Sequence, residues 1–326
     1  MKYILITGGA GYIGSHIAYN LIDKKYRLVI IDNLSNASRN FIPKKTIFEK
    51  IDITDFKKLS KCFQKYSFEA IFHIAATKYV EESQIKPLKY FKNNVIGTKH
   101  ILDLMVLHNV KKIIFSSTCA VYGDTNKSKV SEIENTMPRS YYGLTKLISE
   151  NLIKDYQKKY NIKFAILRYF NVVGADKFLR TGEVSKGSLF KNLSQYLIEK
   201  KEKKFYIFGN NYKTKDGTCV RDFIDVNDLA ELHFLSYKYL RKNNSCLFNC
   251  GYNDPLTVLD VINKFKKISK QEIKLTYLDK RKGDIESIYC ENKLLLKLFK
   301  NWKRQYTIED SIKNTLKFEK NIFKKF

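Results

Sequence analysis

Thr7-Gly8-Gly9-Ala10-Gly11-Tyr12-Ile13-Gly14 is the stretch on which the fold turns. Before it stands a short apolar run, Lys2–Ile6, which reads as a buried strand. After it Tyr12–Lys24 carries Ile13, Ile17 and Leu21 at helical spacing. Gly8, Gly11 and Gly14 are three apart, between strand and helix. There one glycine permits a tight turn, one lets backbone approach a pyrophosphate, and one allows close helix–sheet packing. The helix N-terminus offers free N–H groups and a positive dipole end to phosphate. A glycine triplet alone is a weak signal; in this position it predicts a dinucleotide turn, with a ligand-free glycine turn as the alternative.

Outward from the turn, strand and helix patterns alternate. Strands are predicted at Leu28–Ile31, Thr46–Lys50, Ala70–Ile74, Lys112–Phe115 and Phe164–Leu167. Helices are predicted from about Asp55 to Lys65, over Pro87–His108 with Pro87 in its first turn, and over Gly143–Tyr160. Strands apolar on both faces argue an α/β fold, a Rossmann-type doubly wound parallel sheet covered on both sides. After about Asn171 the rhythm loosens. Ala175–Gly187 and Gly209–Gly217 read as loops, Lys191–Lys200, Val226–Leu240 and Val258–Lys267 as helices, Phe205–Phe208 as a strand, and the tail from Lys293 as Lys-rich helix. This predicts a nucleotide-binding domain over 1–172 and a smaller mixed α/β substrate domain over 173–326, some of whose segments return to the first.

Composition narrows the function. The 326 residues hold 60 Lys plus Arg against 33 Asp plus Glu, a formal charge of +27. Only nine of these cations are Arg, leaving 51 Lys, and Arg is the residue suited to bidentate phosphate and base-edge contacts. Lys, Asn, Ile, Tyr and Phe share AT-rich codons, so the charge reads as surface composition rather than a nucleic-acid face. A hydrophobic content of 44% suffices for a core. Six Cys without a CxxC pair fit a reduced, cytoplasmic setting, and no metal site is predicted. No apolar run approaches the roughly 20 residues that span a bilayer, and Tyr3–Ile6 reads as one strand rather than a signal peptide.

Asp32 ends the second strand. A carboxylate there bonds ribose hydroxyls and repels a 2′-phosphate, which favours NAD over NADP; an ordinary turn-forming Asp is the alternative. Asp52-Ile53 ends the third strand, where an adenine edge could be read. Tyr142-Gly143-Leu144-Thr145-Lys146 places a phenol and an ammonium on one helix face. A nearby cation and a positive nicotinamide favour phenolate; lowering a reference value of about 10 by three takes about 4 kcal/mol. Tyr142 would then be a general base near neutral pH. Tyr-x-x-x-Lys recurs by chance in a chain this rich in both residues. The discriminating partner is Ser116-Ser117-Thr118, a hydroxyl cluster at the end of the strand before it.

The glycine turn, Asp32, Thr118, Tyr142 and Lys146 resemble the extended short-chain dehydrogenase/reductase superfamily, and within it the UDP-glucose 4-epimerase (UDP-galactose 4-epimerase) family. The resemblance runs from Ile4 to about Trp302, strongest at Thr7–His16, Asp32-Asn33-Leu34, Lys86–Thr98, Phe115–Gly123, Arg168-Tyr169-Phe170-Asn171, Ile207–Asp222 and Arg281–Asp284. It implies tightly bound NAD, a UDP-sugar substrate and inversion at C4 through a 4-keto intermediate, on UDP-glucose and UDP-galactose. It implies that Tyr12 and Ile13 lie on the pyrophosphate turn. Asp32, Asn33, Leu34, Ser35, Asn36 and Ala37 would surround the adenosine, and Asp52 and Ile53 the adenine. Ile74, Ala75, Ala76, Thr77, Lys78 and Asn93 would line the cofactor, with Phe170 packing on the nicotinamide side. Thr118 and Tyr142 would bond the sugar 4′-hydroxyl, and Lys146 the nicotinamide ribose. Asn171, Arg221 and Arg281 would meet the diphosphate, Tyr206, Ile207 and Phe208 the uracil, and Asp284 a uridine ribose hydroxyl. For Phe170, Tyr206 and Phe208, core packing is the alternative; for the arginines, surface Arg–Asp pairs.

Some positions depart from the family pattern. Members often carry Ser at Thr118; Thr keeps the hydroxyl. Ile288 stands where sugar-pocket members restricted to UDP-glucose and UDP-galactose carry a large Tyr, which implies room for an N-acetyl group and activity on UDP-GlcNAc and UDP-GalNAc. An epimerase for another UDP-sugar, UDP-GlcNAc or UDP-glucuronate, is the alternative, followed by a non-catalytic NAD-sensing protein. Dehydratase relatives supply Asp-Glu after the Thr, where this chain has Cys119-Ala120. The resemblance also implies a homodimer through the helices predicted at Pro87–His108 and Gly143–Tyr160, whose Phe91, Val95, Leu102, Leu147 and Leu152 could equally face only the sheet.

Overall fold

The computed structural model describes residues 2–125, 127–185, 187–200, 203–281 and 284–323. Lys282 and Gly283, inside the Arg281–Asp284 block, and the last three residues of the tail lie outside these. The chain divides into two compact units, one of Met1–Asp124, Glu132–Tyr169 and Ala230–Asn249, the other of Thr125–Ser131, Phe170–Leu229 and Cys250–Phe326.

The first unit is built on a seven-stranded sheet. Its order is Cys246–Cys250, Lys163–Tyr169, Lys112–Thr118, Phe68–His73, Tyr3–Thr7, Leu28–Asp32, Ile47–Lys50. Pairing is parallel from Lys163–Tyr169 through to Ile47–Lys50, with Ile6 opposite Ile30 and Phe72. All five residues of Leu28–Asp32 are buried, as a strand covered on both faces requires. The chain runs outward one way from Tyr3–Thr7 and then the other way from Phe68–His73. The order therefore reverses at the carboxyl ends of these two strands, where α/β sheets place ligands.

The helices begin and end as local chemistry dictates. Asp55 accepts from the N–H of Lys58 to cap Phe56–Lys65, and Ser140 from that of Gly143 to cap Tyr141–Tyr160. Asn161, at φ 53°, closes the latter in a left-handed cap. The predicted single helix Pro87–His108 is three pieces: α-helix Pro87–Tyr90, π-helix Phe91–Ile96 and α-helix Gly97–Leu107. A π-turn inserts one residue and shifts the face without breaking the apolar pattern. Val95 and Leu102 are consequently buried in this unit's own core and Leu152 packs on it, whereas Phe91 is exposed.

The second unit corrects the reading of the C-terminal half, which assigned a single strand. Val220–Asp225 is the centre of a small sheet, flanked by Pro255–Thr257, Ser287–Cys290 and Asn171–Val173, and Leu275–Leu278 pairs in parallel with Phe205–Phe208. Charged Arg221, Asp222 and Asp225 inside Val220–Asp225 hide its strand character from hydrophobic pattern. Asp222 is fully buried and accepts N–H bonds from Tyr252 (3.0 Å), Asn253 (2.9 Å) and Cys290 (3.1 Å), so it staples the sheet. The tail is helical, in two pieces, Lys293–Leu298 and Ile308–Phe323.

Candidate functional site

The glycine turn lies at the sheet's reversal point. Gly8 sits at φ +69°, and a Cβ there would come within 2.7 Å of the Ala75 backbone. A Cβ on Gly14 would fall on the Gly8 carbonyl oxygen, so helix Tyr12–Asp23 can start here only without one. Gly11 is the N-cap, and no side chain caps the helix start. One Asp32 oxygen accepts from the Ala10 N–H (3.1 Å) and the other from the Leu34 N–H (2.8 Å), which fixes the carboxylate beside the turn. Leu34 is held at φ 61°, a left-handed conformation rare for a branched side chain. Burial raises the Asp32 carboxyl above its ordinary value, and these backbone bonds work against the rise. Asn33 donates to Asp52 (2.8 Å), and Ser35 and Asn36 are exposed with Ala37 half-buried beyond them. Ile53 is buried against Gly97. Tyr12 and Ile13 open the helix half-buried. A bare helix start, glycines that admit close backbone approach and a carboxylate for ribose fit a dinucleotide.

Ile74, Ala75, Ala76 and Thr77 follow the strand Phe68–His73 half-buried, and Lys78 is exposed, its ammonium 5.8 Å from the Tyr79 ring centroid. Asn93 donates to the Asn94 side chain at 2.9 Å. Sequence reasoning missed Asn94, which the π-turn buries. It accepts the Thr77 N–H (2.9 Å) and donates to the Thr77 carbonyl (3.0 Å) and to Thr145 Oγ1 (3.0 Å). It thus ties the segment after the fourth strand to the helix of Tyr142 and Lys146.

Thr118 closes its strand and caps the following turn, accepting the Ala120 N–H at 3.1 Å. Its side chain also stands close enough to the Tyr142 phenol to favour the phenolate. Lys146 is buried and donates to the Ser116 carbonyl at 2.7 Å, its Nζ 4.8 Å from the Phe115 ring centroid. The three expected catalytic residues therefore meet at the carboxyl end of Lys112–Thr118. The phenol, however, is pushed up to about 12 by burial, Thr118 opposing, rather than down towards neutrality. Lys146 is itself pushed down to about 7 by burial, with Glu150 opposing. The lysine's hydrogen bond goes to Ser116, and desolvation outweighs the help that spacing alone suggests.

In the second unit a cavity of about 890 Å³ brings together Asn171, Tyr206, Ile207, Phe208, Arg221, Arg281 and Asp284. Arg221 donates to Asp284 at 2.9 Å, and the Arg281 guanidinium lies 3.9 Å from the Phe208 ring centroid. Two guanidiniums, one paired and one stacked, suit a diphosphate next to a planar base. Ser188 and Leu189, not counted among the expected ligands, also line the cavity; Ile288 does not, being buried in its strand opposite Arg221. Phe170 is buried, its N–H donating to the Cys250 carbonyl at 3.1 Å.

Comparison with known proteins bears on the chain as a whole. Residues 4–251 match the model of the NAD dependent epimerase/dehydratase family. The chain is 35% identical over 335 residues to the probable UDP-arabinose 4-epimerase 3 of Arabidopsis thaliana, covering 98% of this chain and 81% of that one. It is similar to the UDP-glucose-4-epimerase of Stenotrophomonas maltophila with bound NAD and formylated UDP-arabinopyranose, at TM-score 0.94 and 32% identity over 100% of both chains. The UDP-Glc/GlcNAc 4-epimerase of Campylobacter jejuni gives TM-score 0.85 and 36% identity, over 98% of this chain and 100% of that one. The chain thus belongs to the NAD dependent epimerase/dehydratase family.

Proposed function

We propose that this chain is an NAD-dependent UDP-sugar 4-epimerase acting on UDP-glucose and UDP-galactose. The observation that carries the reading is the meeting of Thr118, Tyr142 and Lys146 at one strand end. The glycine turn and Asp32 would hold the dinucleotide, and Asn171, Arg221, Arg281 and Asp284 the UDP end. NAD, when bound, supplies the acceptor and donor of the C4 hydride and a positive ring that favours phenolate. Tyr142 takes the proton of the sugar 4′-hydroxyl, with Thr118 bonded to the same oxygen. After the 4-keto sugar has turned its other face, Tyr142 returns the proton. Bringing the phenol from about 12 to neutrality requires roughly 7 kcal/mol of added preference for phenolate, so Tyr142 becomes a base only in the loaded site. Holding the substrate by its UDP, away from the reacting carbon, lets the sugar rotate while it stays bound.

Relatives named for UDP-arabinose and for UDP-Glc/GlcNAc support testing a panel rather than one substrate. Purified protein should carry NAD and interconvert UDP-glucose and UDP-galactose, with UDP-GlcNAc, UDP-arabinose and UDP-glucuronate assayed beside them. Tyr142→Phe should retain the dinucleotide and lose on the order of 10³-fold in kcat. A fully active Tyr142→Phe variant removes the reading. We further propose a homodimer through the exposed apolar side chains Ile85, Leu88, Phe91 and Leu144, with mass in solution as its test.

A further inference from the structure

Directly behind the catalytic lysine lies a buried ion pair that the mechanism above does not use. Glu150 follows Lys146 by one turn on the helix Tyr141–Tyr160, so both face the same side. Its side chain is 0% exposed and that of its partner Arg168 only 4%. Arg168 grips it with two bonds, Nε to Oε1 at 3.0 Å and Nη2 to Oε2 at 2.7 Å. Ser117 donates a third, at 2.5 Å. One strand therefore serves both charges: Ser116 gives its carbonyl to the Lys146 ammonium, and Ser117 gives its hydroxyl to the Glu150 carboxylate. Arg168 is fixed in turn, opposite Ser117 in the sheet and with its guanidinium 4.9 Å from the Tyr122 ring centroid. Tyr122 donates to Asn249 at 2.6 Å.

Such an arrangement is a poor way to gain stability. A buried ion pair is commonly matched or exceeded by apolar side chains of similar volume. What the pair does here is electrostatic. The groups shown to act on Lys146 are the Ser116 carbonyl and Phe115 ring from one strand, His73 from the neighbouring strand and Glu150 from its own helix, while Arg168 meets Glu150 rather than the lysine. The His73 ring is neutral, driven down to about 3 by burial and then by Lys146 itself. Glu150 is the group that opposes the loss of the lysine's charge to burial.

We propose that Glu150, locked by Arg168 and Ser117, is a positioning residue that keeps Lys146 a cation during catalysis. This rests on the proposed function, with the Lys146 ammonium as the nearby cation that favours the Tyr142 phenolate. Its signature is the alkaline limb of the pH profile, where activity falls as Lys146 loses its proton. A charge removed from a dry site at this range moves the limb by about one to two pH units.

The test measures kcat/KM against pH for NAD-loaded wild type, Glu150→Gln, Glu150→Asp and the double variant Glu150→Gln/Arg168→Met, on whichever UDP-sugar the wild type turns over. Glu150→Gln should shift the limb to the acid side and lose roughly ten- to hundredfold at pH 8, and Glu150→Asp should recover most of it. The double variant has no buried unpaired charge, so its melting temperature should recover while its limb stays shifted. A Glu150→Gln limb at the wild-type position overturns the inference, as does a double variant that recovers both stability and limb. If neither Gln variant folds, the pair is a packing element and the inference falls. A wild type inert on every UDP-sugar overturns instead the functional reading beneath it.

Discussion

Gly14 and the Gly8 carbonyl leave no room between them, so the smallest side chain there forces the turn open. Gly14→Ala should fold, because its helix is anchored by buried Ile17, Ala18 and Leu21, yet be purified with less than about a tenth of the wild type's NAD, read by absorbance of the released nucleotide. Asp225 poses a different question. It is buried, its oxygens accepting from Ser311 Oγ (2.6 Å) and from the N–H of Asn227 (2.8 Å), and burial pushes its carboxyl up to about 7. Between the ordinary carboxylate value and about 7 the folded state keeps a proton that the unfolded chain releases, so stability falls as pH rises through that window. Asp225→Asn removes this dependence. It should stabilise the protein at pH 8 relative to pH 5 by on the order of 1–3 kcal/mol compared with wild type, in paired thermal melts. The glycine turn and Tyr142–Lys146 were legible because each is a local spacing with one chemical reason. Glu150, Arg168, Asn94 and Asp222 were not, because each owes its place to partners between 17 and 68 residues away. In the sequence Glu150 reads as one more charge on a helix surface.

Elements of the first unit were visible in outline because parallel strands are continuous apolar runs, and end effects account for shifts of a residue or two. The π-turn was invisible, since an inserted residue leaves composition and average spacing unchanged. In the second unit the described strands run only two to six residues, and the longest, Val220–Asp225, carries two buried aspartates; both defeat pattern reading. The same unit holds a staple between helices. Lys191 on Leu189–Glu199 donates to both oxygens of Glu319 on Ile308–Phe323, at 2.8 and 2.6 Å, with side chains 5% and 4% exposed. Lys191→Met strands a buried carboxylate and should cost about 3–5 kcal/mol, whereas Lys191→Met/Glu319→Leu should recover most of it. Urea midpoints measure both. Because Leu189, Asn192 and Gln195 of the first helix line the cavity, the single variant should also weaken UDP binding.

Across the whole molecule the formal charge of +27 and the residues suited to phosphate come apart. The features suited to anions, a bare helix start and the guanidiniums of Arg221 and Arg281, include none of the 51 lysines. The first unit, too, is not one stretch of chain: its outermost strand, Cys246–Cys250, pairs with Lys163–Tyr169. A fragment of residues 1–172 would present Lys163–Tyr169 as a bare edge and should aggregate where the full chain stays monodisperse, as light scattering can show. The same strand sets a timetable for synthesis. A nascent chain that has passed Tyr169 must add about 80 residues before its sheet can close, on the order of ten seconds of translation. Over that interval the newborn protein carries a sticky seam, and its yield in a cell depends on elongation speed and on whatever shields that seam until Cys246 emerges.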